Sequence, residues 1–170
     1  MSRPALLDVN VLIALTHEAH VHHAPVQSWL RRQGDFEWAS CTVTQLGFIR
    51  LAAMPAIGGP DASPRAALAL LDETLQHPGH TFWADRHGAA RFGALRSPLV
   101  VGHRQVTDAY LLGLAAEQKA ALVTLDRGLV ALAEAQQLAA HVQWIGPESG
   151  VAAHEPPARY ADKARARRRA

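Results

Sequence analysis

Ala5-Leu6-Leu7-Asp8-Val9-Asn10-Val11-Leu12-Ile13-Ala14-Leu15 sets three apolar residues before an acid and then a run whose apolar positions recur at helical spacing. A short strand running into a helix is the simplest arrangement. The pattern returns at Ala121-Leu122-Val123-Thr124-Leu125-Asp126, an apolar stretch ending at an aspartate before a helical segment from Gly128 to Gln137. Three more strand candidates are Phe36 to Ala39, Thr81 to Ala84 and Val142 to Ile145. Helical patterns fill the intervals. One runs from about Val11 and again through Val26 to Leu30. A second, capped by Thr42 or Thr44, carries Leu46, Phe48, Ile49, Leu51 and Ala52 and stops before Pro55. Ser63 with Pro64 starts a third that reaches Gln76, and Thr107 caps a fourth that runs to about Gln118. Strands alternating with helices predict an α/β fold with a parallel sheet covered on both faces.

Composition agrees with one such domain. The 170 residues are 49% hydrophobic and 19% charged, which supports a sizeable core and excludes a disordered chain. No apolar stretch approaches the ~18 residues of a membrane span, and Asp8 follows too soon for a leader. The one cysteine, Cys41, cannot close an intramolecular disulfide, so a reducing cytoplasm is the expected compartment. Charge is uneven. From Arg159 onward six cations (Arg159, Lys163, Arg165, Arg167, Arg168 and Arg169) stand against Asp162, leaving this end at +5 and the rest at −3. The sequence pI near 9.1 therefore belongs to an appendage and not to a basic globule. The expected division is a domain over 1–147 and a Pro- and Arg-rich basic tail over 148–170.

Asp8 and Asp126 both follow an apolar strand at its carboxyl end, the edge where open parallel sheets bind ligands. Asp108 lies in the first turn of its helix on the side of Leu111, Leu112 and Ala115, so this acid points along an apolar face. Gln45 repeats that placement with Phe48, Ile49 and Ala52. Taken singly, Asp108 could complement a helix N-terminus and Asp126 could be a turn residue. Gathered at one edge, three carboxylates repel and need a cation. Oxygen ligands without cysteine point to Mg²⁺ or Mn²⁺, and an acid cage around such an ion suits phosphodiester hydrolysis.

Four blocks carry a family resemblance: Leu6-Leu7-Asp8-Val9-Asn10-Val11-Leu12-Ile13-Ala14-Leu15, Thr44-Gln45-Leu46-Gly47-Phe48-Ile49-Arg50-Leu51, Val106-Thr107-Asp108-Ala109-Tyr110-Leu111 and Leu122-Val123-Thr124-Leu125-Asp126-Arg127-Gly128-Leu129. In order and spacing they resemble PIN-domain ribonucleases of the VapC toxin family, over roughly residues 5 to 145. The resemblance implies a three-layer α/β/α PIN-like domain with a central parallel sheet. It also implies a metal-dependent endoribonuclease leaving 3′-hydroxyl and 5′-phosphate ends, an RNA substrate, a homodimer and a VapB-type antitoxin over the active site. It places Asp8, Asp108 and Asp126 on the family's acidic metal ligands and Asn10 on the polar position after the first. Thr107 and Thr124 match supporting hydroxyls. Gln45 stands where the family usually has a glutamate, which removes one negative charge and a base and leaves a site suited to one ion more than two.

Two other assignments compete. A degenerate PIN-like module could bind RNA or protein without cutting, although three retained acids argue against it. A phosphotransferase using Asp8 as nucleophile is weakened because Asn10 stands where that chemistry wants a second aspartate. His17, His20, His22 and His23 do not form the His-Glu-x-x-His zinc signature, since Val21 takes the last place, and are expected on a solvated loop or helix surface. Gly58-Gly59 lacks the Lys-Ser/Thr of a phosphate-binding loop and reads as a turn.

Overall fold

The computed structural model describes residues 4–86 and 88–146, so the basic tail expected over 148–170 lies outside the described residues. Strand β1 (Ala5–Leu7) leads to α1 (Val9–Thr16) and α2 (His23–Gln33). Strand β2 (Trp38–Ser40) leads to α3 (Thr42–Ala52), a single turn α4 (Pro55–Gly58) and α5 (Pro64–Leu75). After β3 (His80–Phe82) a long connection reaches α6 (Gln105–Glu117), then β4 (Ala121–Thr124), α7 (Arg127–Ala135) and β5 (Val142–Trp144). All pairings are parallel and the strand order is β3-β2-β1-β4-β5.

The strands are short and apolar because the central ones are covered on both sides. Successive residues point to opposite faces. Ala5, Leu7, Trp38 and Val123 therefore join one cluster with residues of α1, α2, α3 and α5, while Leu6, Ala39 and Leu122 join a second with α6 and α7. This is a three-layer α/β/α sandwich, as the alternation of strand and helix predicts. Helix α3 lies close to α1 at Gly47, where a Cβ would come within 2.7 Å of Val9 Cγ2. A side chain there would force Val9 to shift.

Two expected helix starts are displaced. Cys41, not Thr42 or Thr44, is the N-cap of α3, and Thr44 Oγ1 instead accepts from the Cys41 amide at 2.9 Å from within the first turn. Helix α6 begins two residues before Thr107, because Gln105 Oε1 accepts from the Val101 and Gly102 amides and gathers the preceding turn onto the helix. Thr107 is consequently an exposed residue inside the first turn. Pro55 ends α3 as expected but also opens α4 as its first residue. Among the described residues no helix is long and apolar enough to cross a membrane.

Candidate active site

The strand order reverses direction between β1 and β4, and crevices at such switch points are where α/β sheets bind ligands. Asp8 follows β1 and Asp126 lies just beyond β4, on either side of that crevice. Leu7 pairs with Val123, and the Asp8 amide donates to the Val123 carbonyl at 3.0 Å, which brings Asp8 beside Thr124. Thr124 is fully buried. Its hydroxyl donates to Asp8 Oδ2 at 2.6 Å and accepts from Asn10 Nδ2 at 3.3 Å and from the Asp126 amide at 3.0 Å. Asn10 Oδ1 in turn accepts from the Leu125 amide at 3.2 Å. One hydroxyl thus orients the first acid and the loop that carries the third.

Both acids also serve their helices. Asp8 Oδ1 accepts from the Val9 amide at 2.7 Å as N-cap of α1, and Asp126 Oδ1 accepts from the Gly128 amide at 2.6 Å as N-cap of α7. Such caps contribute about 1 kcal/mol each to stability. Asp108 differs. It is half-buried in the first turn of α6, on the side of the fully buried Leu111, Leu112 and Ala115, and accepts no hydrogen bond from any described residue.

Electrostatics ties the three together. Burial raises the Asp8 carboxyl above its usual range, the Thr124 and Val9 bonds pull it back, and the charge of Asp126 adds to the rise. Asp108 is pushed up to about 6, first by burial and then by the charges of Asp8 and Asp126. A first-turn acid gains some 0.3–1 kcal/mol from its helix N-terminus, yet burial and repulsion prevail here. Among the described residues no three His, Cys, Asp or Glu side chains are arranged to enclose one ion. The donor set still suits a hard cation. Mg²⁺ keeps several waters and is usually held by one or two carboxylates with a substrate phosphate, not by an all-protein cage. A half-buried carboxylate with no hydrogen-bond donor, beside two like charges, supplies such a ligand.

The described hydrogen bond of the Gln45 side chain runs to β2 and not to the acids. Its Nε2 donates to Ser40 Oγ at 2.9 Å, and Ser40 Oγ lies 2.8 Å from His80 Nε2. Ser40 is fully buried. Since the amide nitrogen of Gln45 can only donate, the Ser40 hydroxyl must donate to His80, whose Nε2 is then the acceptor and whose proton sits on Nδ1. Burial also lowers the His80 pKa, in keeping with a neutral ring. The relay leaves the Gln45 carbonyl oxygen, and not its amine, free of described partners. Strand register sets Ser40 beside Leu7, one residue short of Asp8, on a strand about 4.8 Å away. Gln45→Glu reverses this chain of donors. The carboxylate accepts from Ser40, so the expected result is a His80 proton on Nε2 and a raised His80 pKa, with tighter Mg²⁺ binding. Ring ¹⁵N shifts and calorimetry check it; an unchanged His80 tautomer would show that Ser40 does not couple the two.

Thr107 is exposed on the first turn of α6, where it lines an open cavity. The histidines have structural work at the end of α1: His17 Nδ1 donates to the Ile13 carbonyl at 3.1 Å and His23 Nδ1 to the Ala14 carbonyl at 2.8 Å. His20 is lowered in pKa by burial and by the neighbouring His22, His17 and His23. Ser40, His80 and Asp85 stand out only in three dimensions. No local pattern marks the first two, because their contact depends on the pairing of strands 40 residues apart.

Fold and acidic edge together define the class. The chain belongs to the PIN-domain family, whose profile matches residues 5–135. Within it the relatives are VapC ribonucleases of Mycobacterium tuberculosis. Ribonuclease VapC38 is 42% identical over 135 residues, covering 76% of this chain and 90% of that protein. Ribonuclease VapC39 is 39% identical over 131 residues, 77% and 94% of the two chains. Ribonuclease VapC29 is 41% identical over 127 residues, 75% and 89%.

Proposed function

We propose that this chain is the toxin of a type II toxin–antitoxin pair, a Mg²⁺-dependent endoribonuclease that hydrolyses RNA phosphodiesters to 3′-hydroxyl and 5′-phosphate ends. Mn²⁺ is the alternative ion. The observation that carries this is the trio of Asp8, Asp108 and Asp126 at the β1/β4 switch, each within reach of the others' charge, in a chain whose relatives are named ribonucleases. Asp8, Asp108 and Asp126 would hold the ion, which supplies charge neutralisation and a lowered pKa for the attacking water.

The chain's own residues position and polarise. Thr124 and Asn10 fix the Asp8 carboxylate in one rotamer and tie it to the loop of Asp126. A bound cation would offset the charges of Asp8 and Asp126 and so would favour the ionised form of Asp108. Gln45 offers a carbonyl oxygen at the same edge. Thr107 flanks the substrate path. A VapB-type antitoxin is the proposed partner, and a second copy of the chain another. Leu46 of α3 and Leu68 of α5 support the homodimer: they are 62% and 54% exposed on two helices that pack together. The compartment that fits is the cytoplasm.

The deciding experiment incubates purified protein with total RNA, with Mg²⁺ or with EDTA. Cleavage only with the metal is expected; cleavage undiminished in EDTA overturns the assignment. The basic stretch adds a second expectation. Deleting residues 159–170 removes six cations, which should weaken RNA binding and flatten the slope of log K against log salt by up to ~0.7 per lost phosphate contact. Anisotropy titrations at several salt concentrations measure it, and an unaltered slope removes the tail from RNA binding.

A further inference from the structure

The first turns of α3 and α6 and the connection after β3 enclose an open cavity of about 500 Å³, within the ~300–1,000 Å³ typical of small-molecule sites. Val43, Leu95 and Val106 give it apolar walls, and Asp85, Arg86 and Tyr110 supply its polar groups. Thr107 also lines it, one residue before Asp108, so the cavity shares the first turn of α6 with this acid, which does not itself line it. Tyr110 is buried, and its hydroxyl donates to Asp85 Oδ1. Burial and the Asp85 charge hold this phenol well above its usual pKa, so it remains a donor. One oxygen of Asp85 is thereby anchored. The other accepts from no described residue.

We propose that this cavity is a nucleobase subsite for guanine in single-stranded RNA, a proposal that rests on the ribonuclease assignment above. A base next to the scissile phosphate can slide its flat face between the apolar walls and present its edge to the polar end. Guanine alone offers two adjacent donors there, N1–H and the N2 amine, which match a carboxylate, together with the O6 and N7 acceptors that an arginine reads as a bidentate pair. Adenine and cytosine would each place a ring acceptor against Asp85. Uracil has a single N–H flanked by two carbonyls. In each case Asp85, itself exposed, meets fewer donors than guanine supplies and has an acceptor turned toward its charge, which disfavours the wrong base. Anchoring by Tyr110 sets the direction of the free oxygen before substrate arrives.

Two measurements on the full chain test this. Guanosine, adenosine, cytidine and uridine are titrated in EDTA and followed by NMR shifts of the residues lining the cavity. Guanosine is expected to bind at least about fivefold tighter than the others, the lower end of what a bidentate base contact discriminates. That preference should vanish in Asp85→Asn and in Arg86→Ala, the latter an exposed position where folding is not at risk. Cleavage of a randomised RNA pool with Mg²⁺ should enrich guanine at one fixed position from the cut, and Asp85→Asn should lower that enrichment at least about fivefold while other positions keep theirs. Equal affinity for the four nucleosides, or no affinity for any, overturns the subsite and leaves the cavity to a protein segment. A pool that stays uncut while guanosine remains preferred overturns the ribonuclease assignment and leaves the subsite standing.

Discussion

Asp108→Ala is expected to lose RNA cleavage, and the same variant produced in cells is expected no longer to arrest growth. Asp8→Ala behaves alike. Loss of an outer partner of a metal ligand typically costs 10–100-fold in affinity or activity, so removing a ligand itself should exceed about 100-fold. Thr124→Val provides the graded comparison. It keeps the shape of the buried side chain and deletes the hydroxyl that bonds Asp8 Oδ2, Asn10 and the Asp126 amide. Its expected loss falls within the 10–100-fold range. A gel assay on a cleaved RNA with Mg²⁺ ranks all three, and an active Asp108→Ala protein would remove this acid from the site.

Stability moves in the opposite direction from activity. In EDTA, Asp108→Asn is expected to melt above wild type, because the amide fills the same space without the charge that Asp8 and Asp126 repel. The pH dependence has a definite sign. Asp108 is raised from an unfolded value of about 3.9 to about 6 in the fold, so its contribution is fully favourable below the lower value and is lost as pH rises through the upper one. Metal-free wild type should therefore lose stability between about pH 4 and pH 6 that Asp108→Asn retains. Mg²⁺ reverses the comparison. At 100 times its Kd a ligand bound only to the native state adds ~2.7 kcal/mol, which for a chain of this size raises Tm by roughly 5–10 °C. Wild type should show that rise and Asp108→Asn little of it. Melting curves with EDTA and with Mg²⁺, from pH 4 to 8, decide the matter: an Asp108→Asn variant that melts lower than wild type in EDTA would mean the carboxylate is stabilised by something other than a cation.

The sequence is most legible where a short apolar run has one possible partner. Ala5–Leu7 coincides with β1 and the run Ala121 to Leu125 overruns β4 by one residue, since strands buried on both faces leave continuous apolar stretches. The flanking strands lie within a residue or two of Phe36 to Ala39 and Thr81 to Ala84. Asp8 and Asp126 were placed by those strands, and the helical phase of Asp108 by Leu111, Leu112 and Ala115. Side-chain pairing across strands is another matter. Gln45 shares a helix face with Phe48 as its spacing says, but its amide answers to Ser40, and Ser40 to His80, through a register that no local pattern encodes. The starts of α3 and α6 were misplaced for a related reason. Several polar residues compete to end each turn, and Cys41 and Gln105 prevail through contacts that depend on the approach of the preceding chain.

The double employment of Asp8 and Asp126 has an evolutionary consequence. Each would be retained by a silent, decaying copy of this gene, because losing it also uncaps a helix. Asp108 has no such shelter. It caps nothing, bonds to no described residue, and its charge weakens the metal-free fold, so drift would replace it first. Among descendants of this sequence, the presence or loss of Asp108 is the better gauge of whether a copy is still selected to cut.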